Sequence, residues 1–481
     1  MDASEFRASA REMIDIVTDY LENIRERPVF PDVTPGYLRQ MLPPRAPDEG
    51  ETWDEVKNDL ERVIMSGVNH WQSPNFYAYF PTGNSYPSML GSMLTDGIST
   101  LCFSWNSCPV GTELEVTMMN WLADMIGLPD AFHFHPGGKG GGALQGSASE
   151  ATLIALLSAR NVTLLNLKEK DPALTTGQII DRLVAYTSEE GHSSVQRAAL
   201  YGLVEMRILP VDDKGALRGP VLKAAIEKDI GAGLVPFFVC ATIGSTGTCA
   251  SDDLSELGPI CNQFDIWLHV DAAYAGSACI CPEFRYLLNG IQHVTSFNFD
   301  PHKWLRVNFE CSAMWVKDTS LISDGHQVSP VYLKDKKGNN NNIPEFRHWQ
   351  VPLGRRFRSL KVWFVLRMFG VKKLQDLIRK DVALAKLFEE CVKKDERFEM
   401  VREVTLGLAS FRLKGDNDVN ERLVAKINLD RRIHLVPSKI KETFFLRFAI
   451  CAVDAQASDV TYAWGVIQEL ADAITPVVKG H

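Results

Sequence analysis

Asp265-Ile266-Trp267-Leu268-His269-Val270-Asp271-Ala272-Ala273-Tyr274-Ala275-Gly276 and, further along, Ser296-Phe297-Asn298-Phe299-Asp300-Pro301-His302-Lys303-Trp304 read together as one structural unit. In the first stretch an apolar run from Ile266 to Val270 ends in an acid. In the second, Ser296 to Phe299 leads into Pro301 and Lys303. The separation suits a strand–helix–strand unit, because parallel strands need a long crossover between them. Further strand-like runs lie at 183–187, 206–211, 235–243 and 311–316, interleaved with helical runs at 149–160, 193–203 and 219–230. Alternation of this kind predicts an α/β fold with a mostly parallel sheet covered by helices, and ligands bound at the carboxyl ends of the strands. Asp271 and Lys303 both fall at or just past such ends.

An acid and a lysine so placed are what pyridoxal 5′-phosphate requires. The lysine would hold the aldehyde as a Schiff base, and the acid would keep the pyridine nitrogen protonated so that the ring can accept electrons. Taken singly, each residue has a plainer reading: most lysines are solvated, and an Asp after a strand commonly serves a turn or a helix cap. The polar neighbours Ser296, Asn298 and His302 are side chains that a merely buried strand would avoid, so a site explains the segment better.

Composition narrows the class. At 481 residues the chain is long enough for two or three lobes, and 45% hydrophobic with 23% charged residues is ordinary for a globular protein. A net charge of −9 without concentrated Lys and Arg argues against a nucleic-acid partner. No apolar run reaches membrane-spanning length, and Met1-Asp2-Ala3-Ser4-Glu5 is acidic where a secretory signal is basic, so a cytoplasmic protein with no membrane partner is expected. The ten cysteines are scattered and read as reduced core thiols. His133 and His135 form a lone H-x-H without further ligands at zinc-like spacing, so no metal is expected.

Phe6, Ala10, Met13, Ile14, Val17, Leu21 and Ile24 repeat at helical intervals, and after a proline-rich passage Trp53 to Met65 reads as a second helix. Such an extension cannot bury its stripe alone, so it should pack on the main body or on a partner subunit. The aromatic cluster from Trp71 to Ser85 is equally readable as core or as a pocket for a ring. The charged, asparagine-rich stretch from Tyr332 to Ile343 reads as a surface loop or lid. A helix over Leu360 to Met368 leads into a smaller α+β lobe with strand candidates at 398–404, 408–413, 433–436 and 444–450.

Six glycines between Gly137 and Gly146 precede Ser147-Ala148-Ser149-Glu150 and an apolar run, a helix start suited to a phosphate. Gly138-Lys139 is followed by Gly140, which fails the P-loop pattern. Gly138, Gly140 and Ala143 fit a loose dinucleotide fingerprint, but no clear strand precedes them. His192 precedes the helical run at 193–203 and reads either as its cap or, beside Thr246, Asp271 and Lys303, as a group facing a cofactor ring.

With these residues in place, the chain resembles the pyridoxal-phosphate-dependent group II decarboxylases. The likeness runs through Tyr20 to Arg27, Tyr79-Phe80-Pro81-Thr82, Gln145 to Glu150, His192-Ser193-Ser194, His269 to Tyr274, Pro301 to Trp304 and Arg347 to Arg356. It implies the PLP-dependent transferase fold type I: an N-terminal helical extension (1–84) exchanged in a homodimer, a large cofactor-binding domain (85–359) with a mostly parallel, seven-stranded-type sheet, and a small C-terminal α+β domain (360–481). The implied activity is decarboxylation of aromatic L-amino acids such as DOPA, 5-hydroxytryptophan or tyrosine to amines, as in catecholamine biosynthesis.

Position by position, the resemblance makes Lys303 the Schiff-base lysine, Asp271 the partner of the pyridine nitrogen and His192 the imidazole stacked on the ring. Ala148, Ser149, Asp300 and His302 match phosphate contacts, and Thr246 and Ala273 positions around the ring. Thr82 matches a neighbour of the substrate carboxylate. Trp71, Tyr79, Phe80, Leu101 and Phe103 match the aromatic pocket, Gly354 a roomy position in it, and Tyr332 the donor that protonates the α-carbon. At Asp300 the family usually has asparagine. A carboxylate there would repel a phosphate unless protonated or paired, for example with His302 or Arg306. Rival readings are an aromatic acetaldehyde synthase of the same family, which the retained His192 disfavours, and a catalytically silent scaffold, which the retention of Lys303, Asp271 and His192 disfavours.

Overall fold

A computed structural model describes residues 1–326 and 343–474. Tyr332 and the asparagine run lie outside the described residues. The chain forms two compact units, Thr82–Val382 and Met1–Pro81 together with Ala383–His481.

The larger unit is built on seven strands: β1 (Gly141–Gln145), β2 (Leu183–Ser188), β3 (Glu205–Leu209), β4 (Val235–Thr242), β5 (Trp267–Asp271), β6 (Ser296–Phe299) and β7 (Ser312–Val316). Their order is β1-β7-β6-β5-β4-β2-β3. The pairings from β3 across to β6 are parallel, while β7 runs antiparallel to both β6 and β1. This is the expected α/β class with a mostly parallel sheet. Every residue of β1, β2, β5, β6 and β7 is buried, as in a sheet covered on both faces.

One element departs from expectation. The glycine-rich stretch contains strand β1 itself, where no clear strand was anticipated. A Cβ at Gly142 would stand 2.5 Å from the Met119 side chain and 2.7 Å from the Met314 carbonyl, so glycine is required by close packing. Strand propensity cannot reveal a strand whose residues are chosen for lack of a side chain.

The smaller unit has four antiparallel strands, β8 (Phe398–Met400), β9 (Leu408–Leu413), β10 (Val436–Ile440) and β11 (Thr443–Ala449), in the order β10-β11-β9-β8. Phe388, Phe398, Phe411, Phe448 and Trp464 form its core. Within this unit the helix Ala3–Glu22 starts on a capping box between Asp2 and Glu5, and Trp53–Asp59 starts on one between Thr52 and Glu55. The aromatic cluster divides: Phe76 and Tyr77 are core, with Tyr77 stacked on Phe448 and donating its hydroxyl to the Asp459 carbonyl at 3.1 Å. Tyr79 is exposed and stacks on Trp71.

No described helix is long and apolar enough to cross a membrane. His133 and His135 each face a carboxylate, Asp124 at 2.9 Å and Asp130 at 2.8 Å.

Candidate active site

Strands β5 and β6 are parallel neighbours, with Asp271 opposite Asn298, so their carboxyl ends open side by side. The loops that follow are tied together. Ala272 N–H donates to the Asn298 carbonyl, and Asp300 N–H donates to the Ala273 carbonyl, both at 2.9 Å. Pro301 then starts a single helical turn, Pro301–Trp304, which carries Lys303. The sequence motif is therefore a device for holding Asp271, Ala273, Asp300, His302 and Lys303 at the carboxyl ends of two central strands.

Asp271 is buried and accepts from Ala273 N–H at 3.0 Å. Burial pushes its pKa up, the Lys303 ammonium opposes this, and the Asp300 charge adds to it. Lys303 Nζ lies 3.0 Å from Asp300 Oδ2. His302 Nε2 is 3.5 Å from the same oxygen, while His302 Nδ1 accepts from Cys311 N–H at 2.9 Å. Burial lowers the His302 pKa, so the ring is neutral with its proton on Nε2. Of the two partners foreseen for Asp300, His302 is thus at the margin. Arg306 turns away to pair with Asp381 at 3.1 Å.

His192 takes the cap reading. Its Nδ1 accepts from Ser194 N–H at 3.2 Å and so caps Ser193–Gly202, while burial and the Lys303 charge lower its pKa and the Asp271 charge raises it. The imidazole thus feels both the Asp271 and the Lys303 charges. Thr246 lies beyond β4 and is exposed. Thr82 is held beside His302 because the next residue, Gly83, donates its N–H to the His302 carbonyl. A Cβ at Gly83 would come within 2.5 Å of the Val307 carbonyl, so only glycine permits that approach.

Beyond β1, Ser147 caps the 23-residue helix Ala148–Lys170 by accepting from Glu150 N–H. Ala148 and Ser149 occupy its first turn, where N–H groups have no intrahelical acceptor and the dipole favours an anion. Two residues to which the sequence assigns no role hold this end of β1. Glu115 accepts from Leu144 N–H at 2.7 Å, Arg355 donates to the Leu144 carbonyl at 2.8 Å, and the two side chains pair with each other in full burial. Gln145 donates to the Trp349 carbonyl. The stretch 347–356 thus clamps the strand leading into the helix. Arg355 lay within a quoted motif without a role, and Glu115 had no local signal at all.

Leu101, Phe103 and Gly354 form a second group. Cys102 N–H donates to the Arg355 carbonyl and Arg347 N–H to the Phe103 carbonyl, so these two stretches run together, with Leu101 and Gly354 exposed. Trp71, Tyr79 and Phe80 belong to the smaller unit. There the Arg447 guanidinium lies over the Phe80 ring, and Arg447 donates to the Tyr79 carbonyl.

This donor set fits pyridoxal phosphate: a buried carboxylate able to face a ring N–H, a primary amine beside it, and a helix start bearing free N–H groups. The comparisons agree. Residues 35–414 match the pyridoxal-dependent decarboxylase conserved domain. An aromatic-L-amino-acid decarboxylase of Cavia porcellus is 54% identical over 98% of this chain and 99% of its own. Among solved structures, Oryza sativa TDC with PLP and tryptamine is 34% identical with a TM-score of 0.94, covering 98% of this chain and 99% of that one. Rhodiola rosea 4-hydroxyphenylacetaldehyde synthase is 35% identical with a TM-score of 0.91, again over 98% and 99%. A motif-bearing site, a matching fold and likeness along nearly the whole length lead to one conclusion: the chain belongs to the pyridoxal-dependent decarboxylase family.

Proposed function

We propose that this chain decarboxylates aromatic L-amino acids, releasing carbon dioxide and the amine. The observation that carries the reading is the joining of Asp271 and Lys303 at adjacent strand ends in a chain 54% identical to a relative named for that reaction. Bound pyridoxal phosphate supplies an electron sink for the pair of electrons left on the α-carbon. The chain's own residues do the rest. Asp271 holds a negative charge against the ring nitrogen, and Lys303 tethers the aldehyde. Ala148, Ser149 and His302 would hold the phosphate, Thr246 and Ala273 would border the ring, and His192 would be the imidazole facing it. Thr82 sits by the substrate carboxylate. Trp71, Tyr79, Phe80, Leu101 and Phe103 receive the aromatic side chain, with Gly354 leaving room for it. Tyr332 delivers the proton to the α-carbon.

A second reading is favoured by one relative, the Rhodiola rosea acetaldehyde synthase. Here decarboxylation is followed by oxidation with oxygen, giving aldehyde, ammonia and hydrogen peroxide. Products from DOPA, 5-hydroxytryptophan, tyrosine and tryptophan decide between them. Amine as the dominant product is expected, and stoichiometric peroxide would overturn the first reading. In the same assay Tyr332→Phe, which removes the proton donor, should move product from amine toward aldehyde; unchanged amine output would remove Tyr332 from the mechanism.

The working form is a cytoplasmic homodimer. Supporting this, the helix Tyr86–Ile98 exposes Tyr86, Leu90, Met93, Leu94 and Ile98 along one side, an apolar stripe that a soluble monomer would not leave uncovered. Sedimentation should give twice the 53.7 kDa chain mass, and charge inserted by Leu90→Glu with Met93→Glu should yield monomers. A chain that sediments as a monomer before substitution would contradict the dimer.

A further inference from the structure

The Lys303 ammonium forms an ion pair with Asp300. Nζ lies 3.0 Å from Asp300 Oδ2, and the Asp300 side chain is only 2% exposed against 25% for Lys303. On a surface, such a pair three residues apart would mean little. In burial the carboxylate has few alternatives. Among the described residues its Oδ1 has no hydrogen-bond partner, and the other basic group within ion-pair distance is His302, a neutral ring at 3.5 Å. The charges facing it from other elements are Asp271 on β5, which repels it, and His192, whose pKa is lowered. Two carboxylates therefore share one ammonium.

We propose that Asp300 is a latch on Lys303, a positioning residue that keeps the amine as an ion-paired ammonium and so restrains covalent attachment of the cofactor. The inference rests on the functional reading that Lys303 is the attachment point. Attachment forms a C=N bond in place of the aldehyde C=O; two of the three ammonium protons leave with the carbonyl oxygen as water, and the third stays on nitrogen. The nitrogen must give up the 3.0 Å contact in its fully protonated form before it can attack. Asn at position 300 preserves the shape and a hydrogen-bond acceptor but not the charge, so the amine is freed more readily. An ionic hydrogen bond of this type is worth about a factor of ten or more.

The test uses the full chain stripped of cofactor. Rates of covalent attachment are followed by absorbance for pyridoxal phosphate and, separately, for pyridoxal without phosphate. Borohydride reduction and mass analysis then locate the label. Asp300→Asn and Asp300→Ser are both expected to accelerate attachment of both aldehydes about tenfold, with the label on Lys303. Unchanged or slower rates would overturn the latch. So would acceleration confined to pyridoxal phosphate, since the carboxylate would then be acting on the phosphate and not on the lysine. Label absent from Lys303 in the unaltered chain would overturn the functional reading itself, an outcome separate from equal rates at a labelled Lys303.

Discussion

Lys303→Ala will remove turnover while leaving the fold in place. The backbone of the turn does not need the side chain: Lys303 N–H donates to the Asp300 carbonyl and Leu305 N–H to the Pro301 carbonyl. On the proposed function the reaction does need it, because the lysine would fix the cofactor's reactive carbon in one orientation. Pre-organisation of that kind accounts for about 7 kcal/mol or more of a barrier, so turnover should fall by about five orders of magnitude. A second effect follows from the ion pair. Without the ammonium, Asp300 is a buried carboxylate facing a neutral histidine and another acid, which should cost about 1–3 kcal/mol of stability, discounted for the partial exposure of the lysine. Lys303→Arg separates the two effects: it restores the charge next to Asp300, and hence the stability, but not the nucleophile. Amine production and unfolding midpoints are measured for both variants. If Lys303→Ala retained a hundredth of the parental turnover, the lysine would not be the covalent tether.

Much of this site was legible because its parts are close in sequence and obey strand-end logic. The stretches 266–271 and 296–304 each announce a strand that ends in chemistry, and the structure places those ends next to each other with Asp271 opposite Asn298. The strands at 183–187, 235–243 and 311–316 likewise differ from those found by a residue at one end. Legibility failed where side chains carried no local pattern. Two of the five residues of strand β1 are glycines in close packing, so it looks like a loop. The strand expected at 433–436 begins only at Val436, because the preceding residues pair with the aromatic stretch: Tyr77 N–H donates to the His434 carbonyl, and His434 N–H to that of Asn75. The helix expected to end at Met368 does lose helical geometry at Gly370, where φ is +68°, but resumes and runs to Lys393.

The charged clamps are a different failure. Glu115 and Arg355 are 240 residues apart, and Arg306 and Asp381 are 75 apart. A buried carboxylate on an apolar helix looks like any surface acid until its partner arrives from elsewhere. Sequence periodicity reports which face of an element is covered; it does not report by what.

Asp381→Ala should be among the most destabilising single changes in the larger unit. Asp381 Oδ2 accepts from Trp304 Nε1 at 2.9 Å and from Arg306 at 3.1 Å, with both charged side chains 2–3% exposed. Trp304, the residue after Lys303, also stacks on Tyr274 with ring centroids 4.4 Å apart, so this acid anchors both loops of the active site through one indole. Alanine would leave a buried guanidinium without its counterion, a loss of about 3–5 kcal/mol. The pair is nevertheless not a net source of stability. Burial raises the Asp381 pKa despite the opposing Arg306 charge, which means that desolvation outweighs the attraction. Removing both charges while keeping an acceptor for the Trp304 indole, by Asp381→Asn with Arg306→Leu, should therefore return the unfolding free energy to within about 1.5 kcal/mol of the parent. Leucine at 306 inherits a left-handed φ of +61°, a strain of about 1 kcal/mol already present for arginine, so it does not bias the comparison. The cycle is read by denaturant unfolding of the parent, the two single variants Asp381→Asn and Arg306→Leu, the Asn/Leu double and Asp381→Ala. A double variant as unstable as Asp381→Ala would mean that the charges themselves, and not merely their balance, hold the loop that carries Lys303.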